Sequence, residues 1–238
     1  MKSDFAGFPE AGFKFLKSLK RNNRREWFQA RKEIYLETVR QPMTQLVDAL
    51  NRQLALFAPD YINAPEKSIY RVYRDTRFSH DKTPYKTHIA AIFPRRGMEK
   101  HVGGGFYISV SPWDLEVAGG MYMPGPDQLN LIRHYLAGHT DEFRRIALGR
   151  TLRRLMGKVV GEQLARVPKG FEKDHPAADL IRHKQIYVDA ALDPALALTA
   201  KLLPELVARF KAMLPLVDFL NRPLVDALRA PRNSEYFS

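Results

Sequence analysis

Cysteine is missing from all 238 residues. Its absence excludes a disulfide framework, a thiolate nucleophile and cysteine-ligated zinc. Long apolar runs are missing too. None approaches the ~20 residues that span a bilayer, and the opening MKSDFAGFPEAGFKFL sets an acid and a proline where a secretory signal needs an unbroken apolar stretch. The expectation is a soluble, cytoplasmic protein with no membrane partner. Carboxylates are scarce beside cations: 26 Asp and Glu stand against 38 Lys and Arg, for a net charge of +12. That excess favours anionic partners such as nucleic acid, phosphorylated metabolites or acidic proteins, although a solvated basic surface has the same balance.

Several familiar signatures are also lacking. VGGGFY has neither GxGxxG spacing nor the terminal Lys-Ser/Thr of a P-loop, and reads as a glycine-rich hairpin turn. There is no GxSxG elbow, helix-turn-helix, zinc finger or aromatic RRM strand motif. His80 and His88 match no metal-binding spacing, so neither a metal nor another cofactor is expected. PKGFEKDHPAADLIRH carries Asp174, His175, Asp179 and His183, residue types that serve acid/base chemistry. Asp174 is also placed to cap a helix beginning near Pro176, and His183 to meet that helix's C-terminal dipole.

What is present suits a packed core, with 45% hydrophobic and 11% aromatic residues. Apolar residues recur at helical spacing over about 12–57, with Asn22 and Asn23 at a turn and Pro42 placed to kink or divide the second helix. From about 67 to 123 the pattern changes to SIYRVYR, YKTHIAAIF, GFYISVS and LEVAGGMYM, strands whose short connections require antiparallel pairing. Gly119-Gly120 marks a bulge or a close packing contact. From about 126 to 230 the chain is mainly helical, opening at Gly125-Pro126-Asp127, with a possible strand at Lys184 to Val188 and prolines 204, 215 and 223 punctuating the last apolar stripe. This order predicts one α+β domain over 1–238, a central antiparallel sheet of about four or five strands flanked by N-terminal and C-terminal helices.

The densest chemistry lies in RDTRFSHDKTPYKTH, residues 74–88. Read as a strand, SIYRVYRDTRF puts Arg71, Tyr73, Asp75 and Arg77 on one face and Tyr70, Val72, Arg74, Thr76 and Phe78 on the other. In YKTHIAAIF, Lys86 and His88 begin the face opposite the apolar one, at the rim of a cleft. Between the strands, Ser79 and Asp81 can bond nearby amides and Pro84 holds Thr83 extended, which stiffens the loop. A stiff loop would converge Arg74, Arg77, Lys82 and Lys86 on an anion, with Tyr85 and His88 as the wall. The partner this favours is a small phosphorylated ligand, with Asp75 or His88 as the acid/base if the ligand is transformed. The competing reading is internal: Asp75 and Asp81 pair with the arginines and clasp the loop. A second functional alternative spreads nucleic-acid contacts over the basic clusters Lys14 to Lys32 and Arg144 to Lys158, and a third is an interaction domain for an acidic protein.

The same block, with NRREWF at Asn23 to Phe28, GGMYMP at Gly119 to Pro124 and PKGFEKDHP at Pro168 to Pro176, resembles domain-of-unknown-function family 2461 of bacterial and fungal proteins. The resemblance runs from Phe13 to about Leu220 and implies one full-length domain. The family carries no established activity, so it implies no catalytic residues. His80 stands where the family block has lysine, while Arg74, Asp75, Arg77, Asp81, Lys82, Pro84, Tyr85 and Lys86 match.

Overall fold

The computed structural model describes residues 5–98, 100 and 102–229. Helix α1 (Glu10–Arg21) buries Phe13, Phe15, Leu16 and Leu19 and stops at Asn22, whose side-chain amide donates to the Ser18 carbonyl. Short helices α2 (Arg25–Gln29) and α3 (Lys32–Tyr35) follow, then a π-helical turn (Leu36–Arg40) and α4 (Gln41–Phe57). Pro42 does divide the run. It sits in the first turn of α4, where its missing N–H breaks no helical bond, and the widened turn lies just before it. Trp27 and Phe28 act as packing anchors: Phe28 is buried among Phe15, Tyr35 and Tyr85, and Arg31 lies over the Trp27 ring.

After α5 (Pro65–Ser68) come β1 (Ile89–Pro94), β2 (Gly105–Val110) and β3 (Leu115–Met121). Helices α6 (Pro126–Gly138), α7 (Thr140–Ala147), α8 (Arg150–Met156) and α9 (Ala178–Ile181) then lead to β4 (Ile186–Leu192) and α10 (Leu202–Arg229). The sheet is fully antiparallel in the order β1-β2-β3-β4, an α+β arrangement as the sequence indicates. Its membership differs from the expectation in one place. SIYRVYR forms only isolated bridges, Ile69 with Ala91 and Tyr73 with Tyr85, while the possible strand after Lys184 is β4. The physical reason is visible in the pattern: neither face of residues 70–78 is apolar, so extending them along β1 would bury little. The predicted cap also differs. The Ala177 N–H donates to Nδ1 of His175, not to Asp174.

One face of the sheet is the core. Ile89, Ala91 and Phe93, then Phe106, Ile108 and Val110, then Leu115 and Val117 all lie against helices, with the Phe106 ring stacked on Phe210 of α10 at 4.6 Å. Each such side chain contributes about 1.5–3 kcal/mol on burial. That burial carries α10 straight through Pro215 and Pro223, where the sequence expects interruptions. Gly119 is the packing contact: a Cβ there would stand 2.7 Å from Sδ of Met213. No helix among the described residues is long and apolar enough to cross a membrane.

Candidate functional site

The charged block forms a loop whose ions largely meet one another. Arg74 pairs with Asp81 and also bonds the Thr83 hydroxyl. Asp81 in turn accepts from the Thr83 N–H at 2.9 Å. Arg77 donates twice to Asp75, at 3.1 and 2.8 Å, and Lys82 donates to the Thr76 carbonyl at 2.9 Å. These bonds hold the Asp75 and Asp81 carboxyls down at about 2: Arg77 is the main cause for Asp75, and the Thr83 N–H followed by Arg74 for Asp81. Both remain carboxylates near neutral pH, so Asp75 is an ion-pair partner and has no proton to exchange there.

Tyr85 is not a cleft wall. It is 1% exposed, its ring stacks on Phe28 at 4.1 Å, and its backbone is gripped from both sides by the Asn23 side chain, at 2.9 and 3.0 Å. Asn23 thereby ties the loop's return strand to the first helices. The turn residue at the end of α1 is a long-range clamp, a role that its position in the sequence does not announce.

Lys86 and Lys100 make a different arrangement. Their ammonium groups lie 5.1 and 4.9 Å from the centre of the same ring, Tyr70. Among the described residues no carboxylate comes within ion-pair distance of Lys86, Lys100 or Arg71. Burial lowers both lysines, and like charge lowers them further: Arg71 and Lys100 act on Lys86, and Arg40 acts on Lys100. His88 is half-buried, and its imidazole is lowered by burial and then by Lys86, against an opposing pull from Asp114. It is a neutral donor and acceptor near neutral pH.

This cluster borders the sheet face away from α10, which is covered at Ala90 and Ser109 and partly exposed elsewhere. The strand register sets Ile92, Tyr107, Ala118 and Asp189 in one cross-strand row and Ala90, Ser109, Glu116 and Ala191 in the next. Tyr70 meets Tyr107 edge-on at 6.3 Å, and Tyr122 meets Tyr187 at 5.3 Å. At the far end Glu116 is half-buried, and its carboxyl is raised by burial and by the neighbouring charges of Asp114 and Asp189. The face is therefore polarised, with cations at the β1 edge, Tyr107 between, and Glu116 and Asp189 over β3 and β4. Among the described residues no group of three or more His, Asp or Glu side chains gathers as metal ligands.

Lys100 is held in place from the other side of the sheet. Asn221 of α10 accepts from the Gly104 N–H at 2.7 Å and donates to the Gly104 carbonyl at 3.0 Å, anchoring the β1–β2 hairpin that carries Lys100. A Cβ at Gly103 would stand 2.8 Å from the same Asn221 oxygen, so the approach needs glycine. Asn221 also donates to the Tyr61 hydroxyl, which donates to Asp218. A cavity of about 310 Å³ opens beside this network, lined by Arg95, Asp218, Asn221, Arg222 and Arg229. Two of its lining arginines are paired, Arg95 with Asp60 and Arg222 with Glu142.

Of the predicted anion-site residues, the structure places Lys86 and His88 on the open face, and Arg74, Arg77, Lys82 and Tyr85 in the clasp and the core. Sequence reasoning missed Lys100, Tyr107 and Glu116. For Tyr107 and Glu116 the signal was the period-two alternation of GFYISV, LEVAGGM and IYVDAAL, whose polar members share one face once β4 is paired; for Lys100 no local pattern gave one. No curated protein and no solved structure matches the chain. The family model described as "Conserved hypothetical protein (DUF2461)" matches residues 11–219, which takes in every element from α1 through most of α10, and the chain belongs to that family.

Proposed function

We propose that the protein binds a small phosphorylated ligand at Arg71, Lys86 and Lys100, beside Tyr70. The observation that carries this reading is the pair of ammonium groups on one ring with no carboxylate at ion-pair distance among the described residues. Holding like charges together costs free energy in the empty protein, and an anion reverses the sign of that interaction. Lysine supplies the point charge and Arg71 a planar fork for phosphate oxygens. His88, neutral and adjacent, offers a further donor. The reading keeps Lys86 from the sequence expectation and releases Arg74, Arg77 and Lys82, whose donors are already engaged.

Thermal unfolding with inorganic phosphate, and with short DNA and RNA, tests it at low and moderate salt. Phosphate at a hundred times its dissociation constant should add about 2.7 kcal/mol. The shift should survive moderate salt, disappear in Lys86→Met and persist in Arg77→Ala. Stabilisation by oligonucleotides alone, erased by salt, would instead favour a nucleic-acid module, because counterion release produces that dependence.

A further inference from the structure

Resting on that reading, we propose that the open sheet face takes a sugar phosphate, either free or as the ribose phosphate of a nucleotide. The phosphate sits at Arg71, Lys86 and Lys100, the sugar ring lies against Tyr107, and its hydroxyls donate to Glu116. Three features of the face specify this ligand. The first is polarity. Cations cluster at the β1 edge and carboxylates over β3 and β4, so the complementary molecule is anionic at one end and a hydrogen-bond donor at the other. A continuous nucleic-acid strand would set phosphates against Glu116 and Asp189, where they would be repelled.

The second feature is length. Ala90 on β1 and Glu116 on β3 lie in one row with Ser109 between them, two strand spacings apart, which is roughly 10 Å. A phosphate ion alone leaves that distance unfilled. The third is relief. Ala118 and Gly120 are the small members of β3 on this face, flanked by Tyr107 on β2 and Tyr187 on β4, so a shallow trough with aromatic walls runs along β3, in line with Glu116. A ring lies flat in such a trough with its apolar face on tyrosine and its hydroxyls at the rim. The acids do not gather as metal ligands among the described residues.

Titration calorimetry with inorganic phosphate, ribose, ribose 5-phosphate, AMP and phosphoethanolamine tests the assignment. Ribose 5-phosphate should bind at least tenfold more tightly than phosphate, and ribose alone should not bind measurably. Glu116→Leu should abolish that tenfold advantage while leaving phosphate affinity unchanged, and Glu116→Gln should keep part of it. AMP tighter than ribose 5-phosphate would identify the nucleotide as the source, and AMP weaker would identify the free sugar phosphate. Equal binding of ribose 5-phosphate and phosphate, an advantage that survives Glu116→Leu, or a preference for phosphoethanolamine would each overturn the assignment while leaving the phosphate site standing. No phosphate binding at all would overturn both.

Discussion

Two groups of cations sit a few residues apart in this chain and do opposite things. In the loop, Arg74, Arg77 and Lys82 meet a carboxylate, a carboxylate and a carbonyl, and a loop without apolar contacts keeps one shape. At its tip Phe78 is 95% exposed, so ion pairs and turn bonds set the shape of the loop and add little to the stability of the whole. On the open face, Arg71, Lys86 and Lys100 are crowded together with no carboxylate at ion-pair distance among the described residues. The difference shows that the density of charge in a sequence does not locate a binding site. On the proposed reading, what locates it is charge left over once the local acceptors are used.

The largest effect expected is on the boundary between the two groups. Tyr85→Ala removes a ring stacked on Phe28 in the core and should cost about 3–5 kcal/mol in urea unfolding. A cost near zero would mean that the loop is not seated on the helices at all. Next comes the open-face group itself. Lys86→Met with Lys100→Met removes two charge-assisted contacts of about 1.5–3 kcal/mol each, so phosphate affinity should fall by a hundredfold or more without loss of stability in the empty protein. If stability fell and affinity did not, the lysines would belong with the clasp. Asn23→Ala should cost about 1–3 kcal/mol, because it leaves the Tyr85 N–H and carbonyl without their partner.

The comparison also explains what could be read in advance. Helix positions followed from apolar spacing, and the sheet from alternation and short connections, because both depend on local periodicity. The strand at 70–78 was misread because residues of strand type were present without an apolar face to bury. The proposed anion site was half legible. Lys86 and His88 follow from alternation into β1, but Lys100 reaches Tyr70 only because Asn221, 117 residues from Gly104, fixes the hairpin. Glu116 joins the face only after β4 pairs with β3. Pairing between distant segments, not residue type, separates the two groups.

A smaller effect separates them by pH. The folded-state lysine at 86 lies below its ordinary value, so the unfolded chain binds more protons in the window below about 10.5. Stability contributed by this group therefore rises with pH there, and the wild type should gain on Lys86→Met as pH climbs towards that value. A constant difference between the two melting curves would show that Lys86 carries no repulsion.

The smallest effect is expected from the residue that looks most like a ligand contact in the sequence. Arg77 has an exposed side chain, and its fork is occupied by Asp75, whose carboxyl is held at about 2. For a carboxyl lowered in the folded state, the stabilisation is present above the unfolded value near 3.9 and is lost as pH falls through about 2. Nothing in that pair titrates between pH 5 and 8. Arg77→Ala should change neither the melting midpoint nor the phosphate affinity measurably across that range, since exposed pairs contribute little in water. A loss of phosphate binding in this variant alone would return the site to the loop, because an arginine that closes only a surface pair has no other route to the ligand.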